Sequence, residues 1–227
     1  MSGLDSYEKD VIKTTSGNLF LYFLGHGSLF LQFNNKNIYI DVYGEVADYS
    51  MLPKADFIFL THEHYDHMDS KSIKLIRTDK TTLVYTETCA REVPDGFIMH
   101  NGETHTFQGI QVEAVPAYNI THKRDNGEPF HVKGIGNGYV FTFGDKRIYV
   151  AGDTEDIPEL KNLNGIDIAF LPMNLPYTMT PEMTAKAAKS FHPHILYPYH
   201  FGKTDASQIG SLLKSQGNIE VRIRKMS

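Results

Sequence analysis

Thr61-His62-Glu63-His64-Tyr65-Asp66-His67 is the stretch on which the reading of this chain turns. Leading into it, Asp56–Thr61 is a short run of the kind that fills a buried strand. After it, Ser70–Arg77 carries Ile73 and Ile76 at helical spacing, with Asp69 or Ser70 as N-cap. A strand therefore enters the segment and a helix leaves it. His62 and His64 stand two apart, so an extended backbone points both imidazoles the same way. Asp66 and His67 follow where the chain turns toward the helix, and four ligand-type side chains can converge at one strand end. Imidazole nitrogen and carboxylate oxygen suit zinc, manganese, iron or cobalt, and no thiolate favours a closed structural zinc site. The plainer readings are a solvated histidine-rich loop or a structural metal clip; the place of the segment at a strand end weighs against both.

Outward from this segment the chain reads as strand-rich. Leu19–Leu24, Leu29–Phe33 and Asn37–Ile40 are short apolar runs, split by Gly25-His26-Gly27-Ser28 and by a hairpin turn at Asn34-Asn35-Lys36. Leu83–Thr86, Phe97–Met99, Thr104–Phe107 and Ile110–Val115 continue as strands, and Tyr118 to Gly138 reads as loop. A second hairpin joins Tyr139–Phe143 to Arg147–Ala151. Ile166–Leu171, Ile195–Tyr197 and Glu220–Ile223 are further strands; helices are expected at Pro181–Phe191, capped by Thr180, and at Ala206–Ser215. An internal echo runs through the pattern. Lys36-Asn37-Ile38-Tyr39-Ile40-Asp41 followed by Ala55–Leu60 resembles Lys146-Arg147-Ile148-Tyr149-Val150, with Asp153, followed by Ile166–Leu171. Two such copies predict two sheets of similar build facing each other.

Composition bounds the class. The 227 residues are 41 % hydrophobic and 22 % charged, which excludes global disorder and fits one domain over 1–227. The single cysteine, Cys89, forms no internal disulfide, so a cytoplasmic protein is expected. A net charge of −5 argues against a general nucleic-acid surface. Met1 to Asp10 is polar and mixed in charge, unlike a signal peptide, and the apolar run Leu19–Leu24 is far too short to span a bilayer. The 11 histidines are unevenly placed, and three of them stand in the motif.

On these pieces the chain resembles the metallo-β-lactamase superfamily. The matching elements are Leu24-Gly25-His26-Gly27-Ser28, Ile40-Asp41, Thr61 to His67, Val115-Pro116-Ala117-Tyr118, Ala151-Gly152-Asp153-Thr154 and Pro198-Tyr199-His200. Within the superfamily it is similar to the branch of metal-dependent hydrolases that includes the ascorbate-phosphate lactonases. The resemblance implies an α/β fold, a four-layer αββα sandwich, with metals at one edge between the sheets. It implies His62 and His64 as ligands of metal site one, Asp66 and His67 as ligands of site two, Asp153 as the carboxylate bridging both, and His200 as the last ligand of site two. Two divalent ions are implied, zinc or manganese, with a single ion or iron as the alternatives. A hydroxide held between two such cations is a nucleophile near neutral pH.

One position departs from the pattern. After Val115-Pro116-Ala117-Tyr118 many relatives place a third histidine of site one, and this chain has Asn119. Three readings stay open: Asn119 ligates through its amide oxygen and favours a harder metal, site one is weak or empty, or a nearby histidine, His122 or His131, takes the place. His131, in Phe130-His131-Val132-Lys133-Gly134, is equally a substrate contact. His26, between two glycines, can face the metals or the substrate, and Asp41 can orient a ligand histidine. Tyr177, in Pro176-Tyr177-Thr178-Met179, resembles a residue at the mouth of the site.

The expected activity is hydrolysis of an ester, lactone, amide or phosphodiester of a small polar molecule, with Asp66 passing the proton to the leaving group. The alternatives are an iron-dependent redox enzyme, a non-catalytic relic and an RNA-processing nuclease. His64 stands where oxygen-reducing members carry glutamate, the core ligands are all present, and the acidic balance disfavours RNA. A small-molecule substrate is the expected partner, with no membrane and with assembly into a homo-oligomer as a further expectation.

Overall fold

The computed structural model describes residues 3–215 and 217–227 and builds both halves of the chain to one plan. The first sheet holds seven strands in sequence order: β1 (Glu8–Thr14), β2 (Gly17–Gly25), β3 (Ser28–Phe33), β4 (Lys36–Ile40), β5 (Phe57–Phe59), β6 (Thr82–Tyr85) and β7 (Phe97–Ile98). The second holds β8 (Thr104–Phe107), β9 (Ile110–Ala117), β10 (Gly136–Phe143), β11 (Lys146–Val150), β12 (Ile168–Pro172), β13 (Ile195–Tyr199) and β14 (Glu220–Val221). In each sheet the first four strands pair antiparallel and the rest parallel. The internal echo is this repetition. Ile38, Tyr39 and Ile40 pair with Phe57, Ile58 and Phe59; Ile148, Tyr149 and Val150 pair with Ile168, Ala169 and Phe170 in the same register.

Period-two alternation sorts the side chains into layers. Ile38, Ile40, Phe57 and Phe59 face inward and share one core with Ile148, Val150, Ile168 and Phe170. Their neighbours Tyr39 and Ile58 face outward and pack with Ile73 and Ile76 of α1 (Ser70–Ile76). On the far side Tyr149 and Ala169 pack with Ala185, Ala188 and Phe191 of α2 (Pro181–Phe191) and with Ile209 of α3 (Gln208–Leu212). The outcome is the expected αββα sandwich.

Local chemistry fixes the element ends. Asn34 and Asn35 both take positive φ, 48° and 61°, which closes the β3–β4 hairpin with the twist it needs. Asp69 caps α1 by accepting from Lys71 N at 2.9 Å, and Thr180 caps α2 by accepting from Met183 N at 3.2 Å. Three expectations need correction. β1 had no apolar pattern to announce it, because Ile12 is its one buried residue. β10 begins at Gly136, inside the stretch read as loop. The C-terminal helix shrinks to five residues, consistent with Gly210 in its middle. Among the described residues no helix is long and apolar enough to cross a membrane.

Candidate metal centre

Strand ends from both sheets meet at one edge of the sandwich. β2 leads to His26, β4 to Asp41, β5 to the His62–His67 segment, β11 to Asp153 and β13 to His200. Asp41 organises the first half. It is fully buried, takes φ 52°, and its Oδ1 accepts from Thr61 N at 2.8 Å. Its Oδ2 accepts from Thr61 Oγ1 at 2.8 Å and lies 2.6 Å from His67 Nδ1. That second bond places the His67 proton on Nδ1 and leaves the Nε2 lone pair facing the site. Thr61 Oγ1 in turn accepts from His62 Nδ1 at 2.9 Å, which leaves His62 Nε2 free in the same way. Gly27 makes room for this: a Cβ there would stand 2.9 Å from His67 Cε1.

Three groups of ligand-type atoms converge: His62, His64 and His131; His62, His67 and Asp153; and His26, Asp66 and His200. In the first group His64 Nδ1 lies 3.1 Å from His62 Nε2 and 3.2 Å from His131 Nε2. Two imidazoles on one tetrahedral zinc at the usual bond length would stand about 3.3 Å apart. Asp153, nearly buried, spans the two sides. Its Oδ2 is 3.3 Å from His131 Nε2, and its Oδ1 is 3.4 Å from both His67 Nε2 and His200 Nε2. Asp66 Oδ2 lies 3.0 Å from His26 Nε2 and 3.5 Å from His200 Nε2.

The electrostatics mark the centre as built for positive charge. Burial pushes the His62 imidazole well below the usual histidine range, and His67 adds to it; burial and His131 lower His64. Both are therefore neutral donors. For His200 burial works the other way from Asp153 and Asp66, and the carboxylates win, pushing it up to about 10. Burial likewise opposes the charges of Asp153 and Asp41 on His67, which is raised. Asp66 and Asp153 stay well below the carboxylate range despite burial, Asp66 through the facing His200 and His26 rings, Asp153 through the charges of His200 and His67. His67 Nε2, His200 Nε2 and Asp153 Oδ1 are buried without a hydrogen-bond partner. Buried polar atoms are rarely left so, and cations facing them would satisfy all three.

Asn119 is the correction. Its side chain is taken up by other partners. Its Oδ1 accepts from His131 N at 2.9 Å and lies 2.6 Å from His131 Nδ1; its Nδ2 donates to Glu155 Oε1 at 3.1 Å and to Tyr177 O at 2.9 Å. The amide is fully engaged in aiming His131, whose Nε2 takes the place beside His62 and His64. Of the two readings left open for His131, ligand or substrate contact, its place beside His62 and His64 favours the first. His122 turns away, with Nδ1 2.7 Å from Glu155 Oε1. Glu155, unread in the sequence, is almost fully buried and also accepts from the backbone of Ile120, Thr121 and His122 at 2.7–2.8 Å. It folds the loop that presents Asn119 and His131. His26 and Tyr177 both line the cavity of about 350 Å³ above the centre, together with Tyr65, Arg124, Phe130 and Asn174.

Residues 20–200 match the Beta-lactamase superfamily domain. The chain belongs to the metallo-β-lactamase superfamily. A UPF0173 metal-dependent hydrolase of Desulforamulus reducens is 29 % identical over 191 residues, 80 % of this chain and 83 % of the relative. A crystal structure from Parabacteroides distasonis, whose name proposes a metal-dependent hydrolase, is 47 % identical with a TM-score of 0.93, over 97 % of this chain and all of that one. Igni18, a metallo hydrolase of Ignicoccus hospitalis, shares the fold at 22 % identity and a TM-score of 0.74, over 91 % of this chain and 95 % of its own. By family this superfamily member is an enzyme of the metal-dependent hydrolase kind, and its αββα architecture is theirs.

Proposed function

We propose that the chain hydrolyses an ester, lactone or phosphodiester of a small polar molecule at a pair of divalent ions, zinc or manganese. The observation that carries this reading is Asp153, whose two carboxylate oxygens face two different clusters of histidine nitrogens. His62, His64 and His131 would hold one ion, His67, Asp66 and His200 the other, and Asp153 both. Bound there, such ions polarise a carbonyl or phosphoryl oxygen and acidify water to near neutrality. The protein's own part is orientation and proton handling. Asp41 fixes the His67 ring and Asn119 fixes His131, so the donor atoms are set before any ion arrives. Asp66, mostly buried, lines the cavity and is hydrogen-bonded to His26, a path by which a proton can reach the leaving group. The cavity is sized for a small molecule, and its aromatic walls, Tyr65, Phe130 and Tyr177, flank the opening.

Elemental analysis of the purified protein, paired with turnover of 4-nitrophenyl acetate and bis(4-nitrophenyl) phosphate, tests this. About two zinc or manganese ions per chain, with turnover that disappears on chelation and returns with metal, is expected. Tightly held iron with oxygen consumption and no turnover of either ester would replace it with the redox reading.

A further inference from the structure

Arg124 has no role in the metal centre, yet it lines both lobes of the cavity beside it, one with His62 and His64, the other with His26 and His200. We propose that Arg124 is an anion-binding residue, and that the substrate carries a carboxylate or phosphate group apart from the bond that is cleaved. This rests on the hydrolase reading above and names the substrate class it would take.

The residue sits in a small hairpin that overhangs the centre. Arg124 N donates to Glu128 O at 2.7 Å, Gly127 N donates to Arg124 O at 2.9 Å, and Lys123 bridges Pro129. Gly127 takes φ +85° at the turn, a conformation glycine adopts freely. Shortly after the hairpin comes His131, whose ring is fixed by Asn119, so the hairpin is registered to the centre through the chain itself. The guanidinium lies 5.2 Å over the Phe130 ring, and its Nη2 donates to Phe130 O at 3.3 Å. Stacking on an aromatic face orients the fork without using its edge. Among the described residues Arg124 forms no ion pair. The other charged side chains of the cavity, outside the histidine–carboxylate groups, are Glu63 and Glu128. Each already has a partner: Glu63 accepts from Thr88 Oγ1 at 2.7 Å, and Glu128 from Asn126 Nδ2 at 2.9 Å. A permanently charged fork with free donors, held over a reaction centre, matches the bidentate geometry of a carboxylate or phosphate.

Binding to the metal-loaded protein, followed by calorimetry, tests the proposal without any turnover. The probes are succinate, glutarate and adipate, each against its monoacid, butyrate, valerate and hexanoate, with 3-phosphonopropionate as the phosphate-like arm. At least one diacid is expected to bind ten-fold or more tightly than its monoacid. In Arg124→Gln that ratio is expected to fall below two-fold while the monoacid affinity holds, which also shows that the variant is folded. A larger gain for 3-phosphonopropionate than for succinate assigns a phosphate, the reverse a carboxylate. No gain for any diacid, or a gain that survives Arg124→Gln, overturns the anion subsite. Loss of the hydrolase reading shows separately, as absent ester turnover with the diacid gain intact.

Discussion

Replacing Glu155 separates the two halves of the centre. The carboxylate accepts from Asn119 Nδ2, from the backbone of Ile120, Thr121 and His122, and from the His122 ring, all between 2.7 and 3.1 Å. Those bonds outweigh burial and hold the group below the usual carboxylate range, so it is charged at neutral pH. In Glu155→Ala the donors lose a charged acceptor worth about 1.5–3 kcal/mol per bond when buried. Ile120 and Thr121 are exposed, so water replaces much of that, and a net loss of about 3 kcal/mol is expected. For a chain of this length that lowers the melting temperature by roughly 6–12 °C. The functional consequence is local. Glu155 holds Asn119, Asn119 holds His131, and His131 faces one side of Asp153 only. On the two-ion reading proposed above, the ion at His62, His64 and His131 is expected to weaken by about ten- to a hundred-fold, the usual effect of removing a residue that orients a ligand. The ion at His67 and His200 depends on Asp41 and Asn174 instead and should hold. Glu155→Gln is the second variant: it keeps the volume, but its amide nitrogen meets only donors. The assay is metal per chain after dialysis against graded chelator. A fall from two ions to one at low chelator, in variants whose unfolding stays cooperative, is expected. Parallel loss of both ions, or an unchanged curve, would refute the chain of contacts from Glu155 to His131.

Asp153→Ala removes the one carboxylate facing both clusters, so both ions should be lost on gel filtration; elemental analysis showing two retained ions would contradict its bridging place. Asp41→Asn keeps the shape but offers a donor where Thr61 and His67 donate, and is expected to weaken metal at His67 ten-fold or more and to cost about 2–4 kcal/mol, read by metal titration and by chemical unfolding. Asp10 predicts an acid dependence away from the centre. Burial opposes its charge, but Tyr197, Arg224 at 2.8 Å and Arg222 at 3.4 Å outweigh it, so its folded pKa lies below the unfolded value of about 3.9. The stability it contributes is present above that unfolded value and is lost as pH falls through the folded one. Urea unfolding of wild type and Asp10→Asn should show a constant gap from pH 5 to 8 that closes on further acidification; a gap that widens instead would remove Asp10 as a source of acid sensitivity.

What was legible in the sequence was local and periodic. His62, His64, Asp66 and His67 lie within eight residues of the end of β5; the two-residue spacing of His62 and His64 points both rings the same way, and the turn that follows brings in Asp66 and His67. Asn34-Asn35 announces a hairpin because few residues accept two positive φ angles. The two sheets followed from the repeated apolar strand that ends in aspartate. The missing parts depend on a loop folding back on itself. Asn119 looks like a replaced ligand because it follows Tyr118, where the resemblance leads one to expect histidine. Only the return of the chain at His131, twelve residues later, shows it to be the group that aims that histidine. Glu155 reads as one more acid beside Asp156, and nothing in its neighbours foretells burial. Arg124 lies in a polar stretch that sequence leaves as plain loop; its place above the centre follows from the hairpin at Gly127.

The repeated plan explains why the centre is asymmetric. The same topology carries β4 and β5 in one half, and β11 and β12 in the other, to the same edge. In the first half the aspartate directly after β4, Asp41, is fully buried and holds a ligand-type histidine. The loop after β5 carries His62 to His67. In the second half the roles reverse. Asp153 follows β11 only after Ala151 and Gly152, and Gly152, at φ +65°, donates its N–H to the buried Tyr199 hydroxyl at 2.8 Å. The two extra residues carry the carboxylate past the supporting position and out among the histidines. The loop after β12 offers Asn174 rather than a histidine, and its Nδ2 lies 3.3 Å from His200 Nδ1, so this loop supports where its counterpart supplies donor atoms. Each half thus brings both donor atoms and groups that fix a ring. The centre forms only where the two sheets meet, so disrupting the packing of Phe59 against Tyr139 and Phe141 should disturb metal retention as well as stability, although none of the three touches a donor atom.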